Sequence, residues 1–207
     1  AHEFLYRHDY VPLLLESRPE MFDERTQIRR LMCQRVDGVI IHSTTDVAGN
    51  DYFMEIVERG LPVVTVDRDL ANANLDFVGT DDREAGRMAA ERLLAMGHRV
   101  LGHLAGSQYT STGLWRRDGF RDAALAAGAD YAEVEAVEFT YDLDAAKKLL
   151  AKTPRPTAVF AANDACALSV FDAAEEMGLS VPEDLSLIGM GDYDRRVSGR
   201  LTLTTIS

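Results

Sequence analysis

The sequence predicts an α/β protein built on parallel sheets. Short apolar runs alternate along the whole chain with longer stretches whose apolar residues recur at helical spacing. Strands separated by helices of this length pair in parallel and carry helices on both faces. The clearest unit is PRPTAVFAAND (154–164), where an apolar run stops on Asn163-Asp164, followed by ACALSVFDAAEEMG. There Ala167, Val170, Phe171, Ala174 and Met177 share one helical face closed by Gly178, which is one βα unit. Hydrophobic residues at 46% and charged residues at 27% are ordinary for a globular domain of this size.

Taken in order, HEFLYRHD reads as a helix and YVPLLLES (10–17) as a strand. MFDERTQIRRLMCQR (21–35) is a helix with Ile28, Leu31 and Met32 inward, GVIIHS (38–43) a strand, and NDYFMEIVERG (50–60) a helix. PVVTVDR (62–68) and LDFVGTD (75–81) are strands. DREAGRMAAERLLAMG (82–97) is a helix repeating Ala85, Ala89, Leu93 and Met96 before a Gly97 cap. VLGHLAG (100–106), WRRDGFRDAALAAG (115–128), VEAVEFT (134–140) and a helix at 144–152 continue the rhythm. TAVFAAN (157–163), its helix with Asp164 as N-cap, LSLIGMG (185–191) and the β-branched LTLTTIS complete it. No strand precedes the first helix, although every other helix follows one, so a first strand is expected to be missing.

A formal net charge of −12 argues against a nucleic-acid surface, because a duplex-binding module is basic. Cys33 and Cys166 sit in helical patterns and read as reduced core thiols. No charged-then-apolar leader opens the chain and no apolar run approaches ~18 residues, so a cytoplasmic protein without a membrane span is expected. A nucleophile elbow, a phosphate loop and metal-spaced His/Cys sets are all lacking. The expectation is a binder rather than an enzyme, with no catalytic residue, metal or cofactor.

Four segments appear in one order: RVDGVII (35–41), GHRVLGHLAG (97–106), RRDGFRDAALAAG (116–128) and VPEDLSLIG…LTLTTI (181–206). With them the chain resembles the effector-binding core of the LacI/GalR family of bacterial transcriptional regulators, from about residue 4 to the end. The resemblance implies two Rossmann-like parallel-sheet subdomains of the type I periplasmic-binding-protein kind, with an effector between them. Residues 1–79 would form the N-terminal subdomain, 80–193 the C-terminal one, and 194–207 a crossover returning to the first. It also implies a homodimer, and operator DNA bound through an N-terminal headpiece absent here. A periplasmic sugar-binding protein of the same fold is the alternative.

The resemblance places ligand-binding residues at strand ends and helix starts. Arg116 matches the arginine of the R-x-x-G-F motif, whose planar fork can grip vicinal hydroxyls or a carboxylate. At a cleft, its removal should cost stability no more than about 1 kcal/mol. Asn163 ends its strand as the family's ligand-binding asparagine does, and Phe139 matches an aromatic that packs on the effector. Thr110 and Thr112 precede the Arg116 helix; Arg68 ends the V-D-R strand; His42 and Thr44 follow GVII. Tyr52, Phe53 and Ile56 offer apolar surface for dimerisation. Gly191 stands where the family usually has an aspartate that accepts ligand hydroxyls, which would leave Arg68 and Arg116 less neutralised and favour an anionic or larger ligand.

Overall fold

The computed structural model describes residues 2–16, 23–43, 51–70, 74–136, 139–192 and 202–207. The chain divides into two compact units: Ala1–Val66 with Leu70–Val78, and Asp67–Asp69 with Gly79–Ser207.

The first unit holds α1 (His2–Arg7), α2 (Glu24–Cys33), β1 (Val39–Ile41), α3 (Asp51–Glu58), β2 (Val63–Val66) and β3 (Asp76–Val78). Its strands form a parallel sheet in the order β1-β2-β3. Asp23 caps α2 by accepting from the Thr26 amide at 2.8 Å. Ile28, Val39, Phe53, Ile56, Val63 and Leu70 pack as the core of this unit. Two expectations fail here. Residues 10–16 form no strand, and Val11 and Leu14 are 85% and 96% exposed. An apolar run becomes a strand only when a neighbouring strand takes up its backbone groups. Phe53 and Ile56 are fully buried in the core and offer no surface for dimerisation, while the Tyr52 side chain lies outside the described residues.

The second unit carries α4 (Asp82–Ala95), β4 (Val100–Ala105), α5 (Ser111–Ala126), β5 (Asp130–Glu135), α6 (Leu143–Leu150), β6 (Ala158–Ala161), α7 (Asp164–Glu176), β7 (Ser186–Met190) and β8 (Thr204–Ile206). Its five-stranded sheet runs β5-β4-β6-β7-β8 with every pair parallel. Leu104, Val159, Ala161 and Leu187 face α6 and α7; Leu101, Ala158, Phe160 and Ile188 face α4 and α5. Burial on both faces explains why β6 reads as a continuous apolar run. The strand expected at 134–140 lies earlier, at Asp130–Glu135, on the edge of the sheet. Of residues 194–207, Thr204–Ile206 pair with β7 as the edge strand of the second sheet.

Candidate functional site

The order of the second sheet reverses at β4: β5 lies on one side and β6 on the other. Such a switch point opens a crevice at the carboxyl ends of the strands. A cavity of about 340 Å³ occurs there, lined by Asp67, Arg68, Thr80, Thr112, Arg116, Phe139, Asn163, Met190, Gly191, Ile206 and Ser207. All of these belong to the second unit. The volume is at the small end of the ~300–1,000 Å³ usual for small-molecule sites.

Arg116 reaches the cavity because α4 and α5 touch backbone to backbone. A Cβ on Gly86 would stand 2.2 Å from the Arg116 carbonyl oxygen, and one on Gly119 2.0 Å from that of Arg83. This approach lays Asp82, at the start of α4, beside the guanidinium. Arg116 Nε donates to Asp82 Oδ1 at 2.7 Å and Nη1 to the Ala162 carbonyl at 2.6 Å. Arg116 is 8% exposed and Asp82 1%. Burial raises the Asp82 carboxyl above its ordinary value, against the pull of Arg116, and its Oδ2 is buried without a hydrogen-bond partner among the described residues. The pair corrects two expectations: Arg116 is not a weakly held surface residue, and its charge is not left without a counter-ion.

Phe139 forms an aromatic wall, with the Arg116 guanidinium carbon 5.7 Å from its ring centroid. Its φ of 57° places its backbone in the left-handed region. Gly106 permits the placement, since a Cβ there would lie 2.1 Å from the ring. Asn163, not Asp164, caps α7: its Oδ1 accepts from the Cys166 amide at 2.8 Å while Nδ2 donates to the Phe139 carbonyl at 2.7 Å. Asp164, one residue on, accepts from Thr205 Oγ1 at 2.8 Å and ties β8 to α7. One N–H of Asn163 Nδ2 remains for a ligand.

Segment Asp67–Asp69 is hooked onto the start of α5. Thr112 Oγ1 donates to the Asp67 carbonyl at 3.0 Å, and the Asp69 amide donates to Ser111 Oγ at 2.8 Å. This brings Asp67 and Arg68 to the cavity. Thr110 is outside it: its Oγ1 accepts from the Gly113 amide and donates to the Ser107 carbonyl, so it caps α5. His42 is exposed at the end of β1 and does not line the cavity, and Thr44 lies outside the described residues. Gly191 lines the cavity at a φ of 122°, a backbone that disfavours any side chain there. Asp192 beside it is exposed.

Sequence reasoning missed Asp67, Thr80, Met190, Ile206 and Ser207, and the part played by Asp82. Asp67 could have been found, since it shares the V-D-R strand end with Arg68; Asp82 read only as an acid in a first helical turn. Cys33 is exposed, contrary to expectation, whereas burial pushes the Cys166 thiol up to about 12. No group of three or more His, Cys, Asp or Glu residues able to hold a metal occurs among the described residues, and no described helix is long and apolar enough to cross a membrane.

The comparisons with known proteins agree with this architecture. A family model described as a periplasmic binding protein-like domain matches residues 90–207. The chain is 36% identical over 166 residues to the HTH-type transcriptional regulator CelR of Thermobifida fusca, covering 77% of this chain and 48% of that protein. A LacI transcriptional regulator from a Rhodococcus species superposes with a TM-score of 0.86 at 28% identity, over 100% of this chain and 76% of the other. The chain belongs to the LacI/GalR family. It corresponds to that family's effector-binding core, of type I periplasmic-binding-protein-like fold. A further LacI/GalR neighbour, a transcriptional regulator CelR in complex with cellobiose, gives a TM-score of 0.80 at 32% identity, covering 91% of this chain and 58% of that one. The chain spans about half the length of the curated relatives it matches first, at 48% and 52%.

Proposed function

We propose that this chain is the effector-sensing part of a cytoplasmic LacI-type regulator, and that a sugar or sugar derivative binds in the cavity at the carboxyl ends of the second sheet. The observation that carries this reading is the convergence of hydrogen-bonding side chains and one aromatic wall on a cavity of about 340 Å³. Arg116 and Thr112 arrive there on α5 and Asn163 at the start of α7, each already held by protein hydrogen bonds. Donors fixed before the ligand arrives lose little freedom on binding. Phe139 supplies a flat apolar face beside them, which suits the carbon skeleton of a polyhydroxylated ring.

Sugar chemistry is favoured by the donor-rich lining and by the cellobiose bound to one structural neighbour. The relatives are transcriptional regulators, which supports a ligand that is bound and released unchanged. In the full-length regulator, a homodimer, occupancy of this site biases operator binding by an N-terminal headpiece. That coupling is reciprocal, because any effect of ligand on operator affinity equals the effect of operator on ligand affinity.

Isothermal titration of the chain with glucose, galactose, ribose, xylose and cellobiose tests the reading. Binding of at least one of these, weakened tenfold or more by Asn163→Ala or Thr112→Val, is the expected result. Binding that neither substitution touches would place the ligand elsewhere. Asn163 also caps α7 and Thr112 also holds the Asp67 carbonyl, so an unchanged melting temperature of each variant accompanies the titration.

A further inference from the structure

Arg116 and Asp82 form a charge pair inside the wall of the cavity, and only one member lines it: Arg116 is among the lining residues, whereas Asp82 lies behind it. Asp82 is 1% exposed, and among the described residues its carboxylate accepts one hydrogen bond, from Arg116 Nε; its second oxygen is buried with no hydrogen-bond donor there. Among the described residues no other donor takes up that charge, so the carboxylate's field falls on the guanidinium beside it. The remaining charged residues of the lining are Asp67 and Arg68, of opposite sign. Counting side chains alone, and with Asp82 included, two carboxylates stand against two guanidiniums. The chain as a whole carries −12, which adds a long-range field unfavourable to anions.

We propose that Asp82 sets the charge preference of the cavity: by compensating Arg116 from behind, it makes the site select uncharged polyhydroxylated ligands over anionic ones. The proposal rests on the reading that the cavity holds a small polar effector. An arginine without a buried counter-ion is a strong anion binder, through charge-assisted and often bidentate hydrogen bonds. Beside a desolvated carboxylate at 2.7 Å, the same arginine still offers N–H groups, but the net positive potential at the cavity is largely cancelled. Its Nη2 makes no hydrogen bond among the described residues and so keeps its N–H groups for a ligand. Glycine at 191 adds no further carboxylate to the lining, so the balance between Arg116 and Asp82 decides the sign of the site.

The test uses matched ligand pairs, glucose with glucuronate, galactose with galacturonate, and cellobiose with cellobionate, titrated into three forms of the chain. Wild type is expected to bind the neutral member of a pair at least tenfold more tightly than its acid. Asp82→Asn keeps an oxygen for Arg116 Nε but removes the charge, and should shift that ratio at least tenfold toward the acid. Asp82→Asn combined with Arg116→Gln removes both charges and should abolish the gain for the acid. The combined variant also covers the case in which Asp82→Asn alone fails to fold, for then a folded double variant still attributes the defect to unbalanced charge. A wild type that prefers the acid, or an unchanged ratio in Asp82→Asn, overturns the proposal.

Sulfate separates it from the sugar reading. If no pair binds any form, yet sulfate raises the melting temperature of Asp82→Asn and not of wild type or the double variant, compensation by Asp82 stands and the sugar reading fails. If sulfate makes no such distinction either, both fail.

Discussion

The two sheets of this chain are built from similar sequence and are buried differently. In the second unit β6 is inaccessible along its whole length, with Ala158 and Phe160 packed on one side and Val159 and Ala161 on the other. In the first unit Val39 and Val63 enter the core, while Ile40 on the opposite face of the sheet is 54% exposed and Val78 64%. Helices on both faces turn a strand into a rigid platform, and the second sheet is the one whose strand ends carry the cavity. A site needing several donors held in fixed positions gains from such support. Substitutions should therefore separate the two sheets, steeply costly in one and nearly silent in the other.

The largest effect belongs to Arg116→Ala. It strands a buried carboxylate at Asp82, and breaking a buried pair in this way costs about 3–5 kcal/mol. Chemical denaturation should show that loss, and adding Asp82→Asn should restore much of it because no uncompensated charge is left. A single-variant loss within about 1 kcal/mol, as for an ordinary surface site, would mean that the pair does not hold α4 to α5.

Next comes Leu101→Ala in β4. Leu101 is fully buried against α4 and α5, and a cavity there should cost about 2–5 kcal/mol, read as a lowered denaturation midpoint. The same core holds a titratable group. His103 is fully buried, donates from Nδ1 to the Phe160 carbonyl at 2.8 Å and stacks on the Phe160 ring. Burial holds its pKa down at about 4, so the folded state refuses a proton that the unfolded chain accepts. Stability is therefore full above the unfolded value of about 6.5 and is lost as pH falls toward 4, by about 3 kcal/mol. His98 is also depressed by burial, with its ring nitrogens 2.9 Å from Thr157 Oγ1 and Ser186 Oγ, and adds loss of the same sign. Denaturation midpoints at pH 7 and pH 4.5 should differ accordingly, and His103→Leu should flatten the difference. An equal slope in the variant would remove His103 as the cause.

How much of this was legible in the sequence depended on range. The βα units of the second unit were readable because most strands are local apolar runs and three of the four helices close on a glycine: Gly97 at φ 97°, Gly128 at φ 69° and Gly178 at φ 73°. Arg116, Asn163 and Phe139 were named from a family motif, and all three line the cavity. What could not be read was anything decided by a distant partner. YVPLLLES has the composition of a strand, but pairing requires a neighbour that no local pattern specifies. Asn163 and Asp164 both suit a helix cap, and which one serves was fixed by the backbone at the end of β6. Met96 and Met177 fit the inward stripe by spacing yet are 53% and 41% exposed, because each is the C-cap residue just past the end of its helix. Nothing local marks Asp82, an acid in the first turn of α4; the close approach at Gly86 and Gly119 is what brings α5 against it.

The smallest effect sharpens the comparison most. Ile40 and Leu101 both lie in short, largely apolar strands, at GVII and VLGHLA, and composition alone would rank them alike. Ile40→Thr keeps a β-branched side chain, so the strand loses no backbone preference. What remains is burial, and a side chain 54% exposed has already kept much of its contact with water. The denaturation midpoint should move by no more than about 0.5 kcal/mol, the usual range for surface positions away from special features. A loss of about 2 kcal/mol would mean that this face of the first sheet is packed against another surface in solution, and the contrast between a doubly covered sheet and a half-covered one would then fail.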